Sequence, residues 1–323
     1  MDYIVFDLEW NQRTDVDDNR EYEPDLPFEI IEIGAVKLGP DMQLKGMFSQ
    51  VIKPQVYTKL HQVTRELLGI TEEDLKKGSD FATVYREFIE FCGDDYVFCT
   101  WGDSDIFELL DNVSFFGVES PFNSPVLYLD IQRIYNRHYN QGKNRAKLSA
   151  VIKELDIKSN SDFHRAINDA EYTAEVMKHM DMKRYKKELS IDTYFVPATK
   201  DDEIFLKGEG YTRYLSRCFA DRNELMADRD VTSLRCPICG RNCRREFPWF
   251  LSAGKVSYFV LGNCQIHGMV KGKIKTKTGP DDTYFALKKI TLATPEDVRE
   301  INEKKIVKME HQKRKRHRRH ISK

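Results

Sequence analysis

The sequence lacks the features that would place a chain in a membrane or in the secretory pathway. None of its apolar runs approaches the roughly 20 residues that are needed to cross a bilayer. The first residues contain no basic segment followed by an apolar segment, as a secretory signal would. No internal repeat is present. We therefore expect a cytoplasmic protein without a membrane partner, and its 323 residues suffice for one large domain or two smaller ones.

Cysteine is scarce and its number is odd, which argues against a framework of disulfide bonds. Four of the seven cysteines lie in one region, at Cys236, Cys239, Cys243 and Cys264. In a reducing compartment such clustering favours a metal site over disulfides. The other three cysteines are scattered, and we interpret them as ordinary buried thiols.

The net charge of −1 hides an asymmetry along the chain. Residues 231–323 contain 22 Lys and Arg against 8 Asp and Glu, whereas residues 1–230 contain 29 against 44. The acidic N-terminal part and the basic C-terminal part suggest a domain with catalytic carboxylates joined to a segment that binds nucleic acid. Solvated charge on two surfaces is the alternative explanation.

The hydrophobic pattern predicts an α/β domain over residues 1–185. Residues 3–8, 29–38 and 43–51 have strand patterns joined by turns, which indicates an antiparallel meander. Helical patterns then alternate with two further strands, at 96–100 and 126–130. The prediction is a mixed five-stranded sheet flanked by helices.

The rest of the chain divides into three predicted parts. Residues 186–230 are interpreted as a linker with a helical stretch around 211–228. Residues 231–292 form a separate small module that contains the clustered cysteines. Residues 293–323 are predicted to be helical and then basic and disordered, because the run from Lys313 to His320 is too charged to pack.

Two carboxylates follow each other at the end of the first strand. Asp7 and Glu9 are two residues apart, so in a strand their side chains point to the same face. Carboxylates placed side by side repel each other, and a divalent cation removes that penalty. The pair alone is weak evidence, because surface charge would give the same pattern.

Two later segments have related chemistry. Asp103 and Asp105 open a helix just after the fourth strand, where an N-cap role is the structural alternative. His164 and Asp169 are five residues apart, and they can face one site if His164 lies on the loop before the helix that carries Asp169. A histidine with a pKa near neutrality is a suitable general base.

The combination of these segments resembles the DEDDh exonucleases, the DnaQ-like family within the ribonuclease-H-like fold, over roughly residues 1–180. Phe6-Asp7-Leu8-Glu9 is similar to the first motif of that family, Asp105 to the second and His164-x4-Asp169 to the third. Asp103 is an alternative to Asp105 as the aspartate of the second motif, and the position of the leucines downstream favours Asp105. The Gly-Asp-x-Asp motif at 102–105 is more similar to the Eri- and KapD-like branch, which acts largely on RNA, than to polymerase proofreaders.

This resemblance implies a ribonuclease-H-like fold and a two-metal mechanism. Asp7, Glu9, Asp105 and Asp169 would hold two Mg²⁺ or Mn²⁺ ions, and His164 would take the proton of the attacking water. The expected activity is 3′→5′ removal of nucleoside 5′-monophosphates from the 3′ ends of single strands, with RNA favoured over DNA. The candidate substrate-binding residues are Trp10, Leu68, Phe163 and Arg165. The first three could equally be core packing.

The clustered cysteines predict a structural zinc site. Cys236 and Cys239 form one knuckle, and Cys264 and His267 form a second one after strand-like sequence, which is similar to a zinc ribbon. Cys243 could replace one ligand, although its spacing fits less well. Basic and aromatic residues around the knuckles suit single-stranded nucleic acid.

Two rival functions remain open from the sequence. One is a DNA exonuclease that serves as the proofreading subunit of a polymerase. The other is a nucleic-acid-binding protein with an inactive exonuclease fold, which the presence of all five catalytic residue types disfavours.

Overall fold

The computed structural model describes residues 1–13, 26–140, 145–158, 164–254 and 257–321, with the backbone alone over 311–321. The chain forms two compact units, Met1–Phe195 and Val196–Lys323. Each unit has its own sheet and its own buried core. Within the described ranges, no helix has both the length and the apolar character that a bilayer crossing requires.

The first unit alternates strands and helices in the order that the sequence patterns predict. Its strands are β1 (Asp2–Asn11), β2 (Glu29–Leu38), β3 (Leu44–Val51), β4 (Tyr96–Thr100), β5 (Leu127–Asp130) and β6 (Ser190–Ile191). Its helices are α1 (Gln62–Leu68), α2 (Glu72–Leu75), α3 (Phe81–Cys92), α4 (Ser104–Phe115), α5 (Ile131–His138), α6 (Leu148–Glu154), α7 (Ala166–Lys178) and α8 (Met182–Tyr185). Thr71 and Asp74 form a capping box at α2, and Asp80 caps α3.

The sheet of the first unit has the strand order β3-β2-β1-β4-β5-β6. Strands β1, β2 and β3 are antiparallel to one another, whereas β4 and β5 run parallel to β1. The short β6 adds an antiparallel edge beside β5 and carries the unit past residue 185. The predicted ribonuclease-H-like mixed sheet is thereby confirmed, with one edge strand more than predicted.

Both faces of this sheet are buried, which explains the apolar run over residues 3–6 of β1. Tyr3 and Val5 pack in a cluster with α5, α6 and α7. Ile4, Phe6 and Leu8 point the other way, into a cluster with α3 and α4. Because side chains alternate along a strand, the next odd-numbered positions of β1 face the layer that contains α7.

The second unit is built on an antiparallel sheet of seven strands. Its strands are β7 (Ile204–Gly208), β8 (Tyr211–Leu215), β9 (Arg244–Arg245), β10 (Phe250–Leu251), β11 (Ser257–Cys264), β12 (Gly268–Thr278) and β13 (Tyr284–Leu292). The sheet order is β10-β11-β12-β13-β8-β7, with β9 paired to β11. Its helices are α9 (Arg222–Ala227), α10 (Arg229–Thr232) and α11 (Pro295–Ile321).

The two faces of the second sheet differ in what covers them. One face packs against α9, α10 and the segment that carries the clustered cysteines. The other face packs against α11, through Phe250 and Leu261 of the sheet and Ile301 of the helix. The cysteines and α11 therefore lie on opposite sides of the sheet.

The structure corrects the sequence prediction in two places. The predicted helical stretch at 211–228 begins as strand β8, and helix starts only at Arg222. Strand β8 is paired with β13, which lies some 70 residues downstream, so the local pattern did not reveal it. The helix α11 also continues over residues 313–320, where the sequence predicts a disordered arm. Lys and Arg have high helix propensity, so a segment too charged to pack can still continue a helix.

Candidate active site

Strand β1 places Asp7 and Glu9 on the face that α7 covers. Both side chains are half-buried. Across the antiparallel pair, Asp7 lies opposite Gly34 and Glu9 lies opposite Glu32 of β2. Glu32 is fully buried, so β2 adds a third carboxylate to the pair on β1. Glu32 is not among the site residues predicted from the sequence, although it is the acidic residue inside the otherwise apolar stretch 30–36 of β2.

The first turn of α4 brings Asp105 to the same edge of the sheet. Because β4 runs parallel to β1, the helix after β4 starts beside the carboxyl end of β1. The Leu8 backbone N–H donates to Asp105 Oδ1 over 3.2 Å, and Asp105 is only 6% exposed. The side chain of Asp103 is 55% exposed and pairs with Arg145 at 3.1 Å. The structure therefore places Asp105 within the carboxylate cluster and pairs Asp103 with Arg145.

His164 and Asp169 come together because they lie on either side of a helix start. Helix α7 begins at Ala166, and His164 precedes it with a positive φ of 69°, a left-handed conformation that few residues other than glycine adopt. The His164 backbone N–H donates to Asp169 Oδ2 over 3.3 Å. Ligand atoms of Glu9, His164 and Asp169 all lie within 4.8 Å of one another. Phe163, the preceding residue, lies outside the described residues.

A glycine on β2 lets α7 approach the sheet this closely. A Cβ atom on Gly34 would lie 2.1 Å from the backbone nitrogen of Ile167 and 2.4 Å from its Cα. Only a residue without a side chain fits there, because real Cβ contacts are never this short. Since Gly34 lies opposite Asp7, this close packing brings the first turn of α7, with Asp169, over the β1 carboxylates.

Crowding of these carboxylates raises their pKa values. Burial and the charges of Asp105 and Glu9 raise the pKa of Asp7 well above its usual range. Burial, followed by the charges of Asp169, Glu32 and Asp105, raises the pKa of Glu9 to about 8. Burial raises the pKa of Asp105 to about 7, against the hydrogen bond from Leu8, and it also raises the pKa of Asp169. Without a cation the cluster is therefore electrostatically strained.

Arg165 compensates part of this negative charge. Its guanidinium binds the Glu32 carboxylate through two nitrogens, at 2.9 Å from Nε and 3.0 Å from Nη2. The Arg165 side chain is 41% exposed, whereas the Glu32 side chain is fully buried. Arg165, which the sequence suggested as a substrate contact, thus lies in an ion pair beside Glu9 and lowers the pKa of that residue.

One further observation indicates that the carboxylate cluster fits a divalent cation. Among the described residues, Asp169 Oδ1 is buried and has no hydrogen-bond partner. A buried carboxylate oxygen without a donor is costly unless a cation or water is bound to it. Oxygen atoms from several carboxylates are the ligands that Mg²⁺ and Mn²⁺ prefer.

The apolar residues suggested as substrate contacts are placed differently from one another. Trp10 is half-buried, with its ring 5.7 Å from that of Phe28. Leu68 is only 8% exposed and packs in a core cluster, so its burial contradicts a role in contacting substrate. The exposed apolar side chains of the same helix α1 are Val63 and Leu67. Helical periodicity did not indicate which leucine of the Leu67–Leu68 pair would be buried, because that depends on how α1 packs.

The second unit brings together the four predicted zinc ligands. Cys236, Cys239, Cys264 and His267 have ligand atoms within 4.8 Å of one another. The Sγ atoms of Cys239 and Cys264 are 3.7 Å apart, and His267 Nδ1 lies 3.5 Å from Cys236 Sγ. Ligand atoms about 2.0–2.3 Å from a tetrahedral zinc ion would have separations of this size. Backbone N–H groups of Ile266 and His267 lower the pKa of the Cys264 thiol to about 6, which favours the thiolate.

Cys243 and Trp249 lie in the core beside this cluster. The Cys243 thiol donates to the Arg241 carbonyl at 3.8 Å, and burial raises its pKa to about 12. Cys243 therefore stands outside the group of four ligand atoms. Trp249 donates its indole N–H to the Thr232 carbonyl at 2.8 Å and packs against the core, so its ring is engaged within the unit.

The family of the chain can now be stated. Residues 4–177 match the RNase T family model, which is described as exonuclease. The chain therefore belongs to this exonuclease family, and the predicted exonuclease domain is confirmed. The match lies within the first unit and includes α4, α7 and most of β1, which carry the clustered carboxylates.

Particular relatives share parts of the chain. DNA polymerase III PolC-type of Clostridium perfringens is 29% identical over 197 residues, 59% of this chain and 12% of the relative. The 3′-5′ exoribonuclease 1 of Mus musculus is 23% identical over 164 residues, 47% of this chain and 46% of the relative. The chain thus spans less than half of either protein. The solved nuclease domain of 3′hExo, described as a DEDDh family member bound to rAMP, shares 21% identity at a TM-score of 0.48, over 59% of this chain and 96% of that one.

Proposed function

We propose that this protein is a metal-dependent 3′→5′ exonuclease that removes nucleoside 5′-monophosphates from single-stranded nucleic acid, with RNA favoured over DNA. The observation that carries the proposal is the convergence of Asp7, Glu9, Asp105, Asp169 and His164 at one edge of the first sheet. Membership of the exonuclease family supports the same chemistry.

The four aspartate and glutamate side chains are the groups that would hold two Mg²⁺ or Mn²⁺ ions. Their raised pKa values and the buried Oδ1 atom of Asp169 support this assignment. Bound cations supply charge stabilisation to the phosphate under attack and to the leaving 3′ oxygen. Asp103 has no part in this set, because Arg145 pairs with it.

His164 is the group that would take the proton of the attacking water. Its side chain is exposed on the loop before α7, so water and a strand end can reach it. The backbone hydrogen bond to Asp169 fixes its position next to that carboxylate. A positioned imidazole at neutral pH is an effective general base. Arg165 and Glu32 hold the neighbouring positions of β2 and α7 together.

The preference for RNA rests on the Gly-Asp-x-Asp segment at 102–105 and on the named activity of the mouse relative. The PolC relative supports the rival, a proofreading DNA exonuclease. Matched RNA and DNA oligonucleotides of one sequence would separate the two readings by their degradation rates. Faster degradation of the DNA strand would overturn the preference.

The test of the activity uses single strands labelled at either end. With added Mn²⁺, the 3′ label should be released first as a mononucleotide, whereas the 5′ label should remain on progressively shorter strands. Omitting the metal, rather than adding a chelator, leaves the cysteine cluster undisturbed. If the wild type releases no more 3′ label than the Asp7→Ala variant, the protein is a nucleic-acid-binding protein with an inactive fold.

We further infer that Cys236, Cys239, Cys264 and His267 hold one structural zinc ion. All four positions of a tetrahedral site are filled by protein ligands, which leaves none for catalysis. The close approach of the four ligand atoms supports this assignment. A cytoplasmic location stays a prediction of the sequence.

A further inference from the structure

Three cationic side chains lie directly opposite one another across three neighbouring strands of the second unit. The strand register pairs Lys273 of β12 with Lys289 of β13, and Lys289 with Arg213 of β8. Cross-strand partners point to the same face, and neighbouring strands are about 4.8 Å apart. Like charges in this arrangement destabilise a sheet. We call these three residues the cationic row.

Aromatic rings accompany the cationic row. Lys273 Nζ lies 5.7 Å from the ring centre of Phe259, its cross-strand partner on β11. Lys289 Nζ and the Arg213 guanidinium lie 6.0 Å and 5.7 Å from the ring of Tyr211. In the described part of the chain, Lys273 makes no ion pair with a carboxylate. Cations and aromatic rings on one surface are the two groups that single-stranded nucleic acid requires.

A groove of about 360 Å³ lies between the cationic row and helix α11. Phe259, Lys273 and Lys289 line it from the sheet, and Lys304 lines it from α11. Lys304 Nζ also lies near this ring, 4.8 Å from the ring centre of Phe259. The volume suits one nucleotide of a single strand, since sites for small molecules measure about 300–1,000 Å³.

The carboxylates on the groove wall do not cancel its positive charge. Asp297 and Glu300 of α11 also line the groove. Asp297 is paired with Lys271, and Glu300 is paired with Lys304. The charge of Lys273 therefore comes in addition to two balanced pairs, which leaves the groove cationic.

Two buried polar atoms close to this surface have no partner. Among the described residues, Arg213 Nε and Thr291 Oγ1 are buried without a hydrogen bond. Thr291 lines the groove, and Arg213 belongs to the cationic row. Buried polar atoms without a partner are rare in folded proteins, and contact with a bound group is one explanation for them.

We propose that the cationic row and the groove beside it bind the phosphates of single-stranded nucleic acid, with one base against Phe259. The proposal rests on the proposed function for the class of strand, but it concerns binding by the second unit and not hydrolysis. The cationic row lies on the face of the sheet that packs against α11, whereas the clustered cysteines lie on the other face. Phosphate contact compensates the repulsion within the cationic row and supplies the affinity.

The test measures binding in an inactive background. The full chain carrying Asp7→Asn is titrated against a fluorescein-labelled 12-nucleotide uridine RNA without added Mg²⁺ or Mn²⁺, and anisotropy reports affinity at several salt concentrations. The test variant adds Lys273→Gln and Lys289→Gln. The matched control adds Lys186→Gln and Lys187→Gln, which remove the same charge from exposed positions of the first unit.

The test variant should bind the RNA about tenfold more weakly. The slope of log K against log salt concentration should be smaller by about 1.4, since each phosphate contact contributes about 0.7 to this slope on single strands. The melting temperature of the test variant should not fall, because the substitutions relieve repulsion between neighbouring lysines. Phe259→Leu should weaken binding severalfold with a smaller change in the salt dependence.

The proposal is overturned if the test and control variants lose the same affinity and the same salt dependence. The proposal is also overturned if the test variant keeps its binding to the RNA but loses binding to an acidic peptide with the same charge as the RNA. That result would assign the surface to a protein partner. Failure of the proposed function would be seen in a different experiment, as the absence of nucleotide release by the wild type with Mn²⁺. The binding measurement does not depend on it, because it uses the Asp7→Asn chain without added metal.

Discussion

The Cβ position of Gly34 lies 2.1 Å from the backbone nitrogen of Ile167. This contact seats the first turn of α7 directly on β2, one strand away from Asp7 and Glu9. Asp169 reaches the β1 carboxylates because nothing separates the helix from the sheet at this point. A residue with no side chain is therefore part of what assembles the candidate active site.

Gly34→Ala should displace α7. Activity should fall by more than the loss of folding stability alone would cause. The methyl group would meet backbone rather than a flexible side chain, and overpacking of this kind costs about 1–3 kcal/mol or more. We expect at least about tenfold slower release of the 3′ label, since small displacements of catalytic groups are expensive. Gly46→Ala on β3 is the matched control, because its new methyl group would meet only the Phe91 ring. Equal activity for the two variants would contradict the prediction.

Arg165→Met should destabilise the first unit and shift its pH profile. It would leave the Glu32 carboxylate buried without a partner beside Glu9. The loss should be below the roughly 3–5 kcal/mol that breaking a fully buried pair costs, because Arg165 is 41% exposed. Removing a positive charge raises the pKa of Glu9, so the activity profile should move to higher pH. Urea denaturation and pH–rate profiles measure both effects. Arg165→Lys should restore the profile in part, and an unshifted profile for Arg165→Met would argue against the electrostatic role.

Without divalent cations, stability should fall as pH rises from about 5 to 8. Glu9 has a pKa of about 8 and Asp105 a pKa of about 7 in the folded protein, both above their unfolded values. The folded state therefore binds more protons than the unfolded chain in this window, and raising the pH destabilises it. Melting temperatures measured across this range without added metal check the sign. Asp105→Asn should flatten the trend, and Mn²⁺ should stabilise more at pH 8 than at pH 6. A melting temperature that rises with pH would refute the prediction.

Asp105→Asn and Asp103→Asn should differ widely in activity. Asp105 lies in the buried cluster, whereas Asp103 pairs with Arg145 at the surface. We expect Asp105→Asn to slow 3′ label release by about 100-fold or more, since even groups behind metal ligands contribute about 10–100-fold. Asp103→Asn should stay within about threefold of the wild type, because exposed ion pairs contribute about 0–1 kcal/mol. Comparable losses for the two variants would show that both aspartates serve the site.

Cys239→Ser should remove zinc, whereas Cys243→Ala should not. Cys239 Sγ lies 3.7 Å from Cys264 Sγ, whereas the thiol of Cys243 donates to a backbone carbonyl. Zinc affinity in such sites is coupled to folding. Elemental analysis of the purified protein should find about one zinc ion per chain in the wild type and in Cys243→Ala, and much less in Cys239→Ser. The melting of the second unit should drop in the Cys239→Ser variant alone. Zinc loss from Cys243→Ala instead would change the ligand set.

Most elements of the first unit could be predicted because their patterns are local. The alternating and apolar strands, the capping box at Thr71 and the N-cap at Asp80 depend on residues within a few positions of one another. The spacing of Asp7 and Glu9 set their common face in the same way. In the second unit, β8 was missed because its partner β13 is distant in sequence.

The sequence by itself determined which residue types and motifs are present: the pair on β1, the acidic helix starts, the histidine five residues before Asp169 and the four zinc-type ligands. Short-range geometry, with a period of two or 3.6 residues, suffices for that. The tertiary structure alone decided that Glu32 joins the site in an ion pair with Arg165, that Leu68 is buried, and that Lys273, Lys289 and Arg213 form one row. Each of these depends on strand register or on close packing between segments far apart in the chain, and neither is encoded in a local pattern.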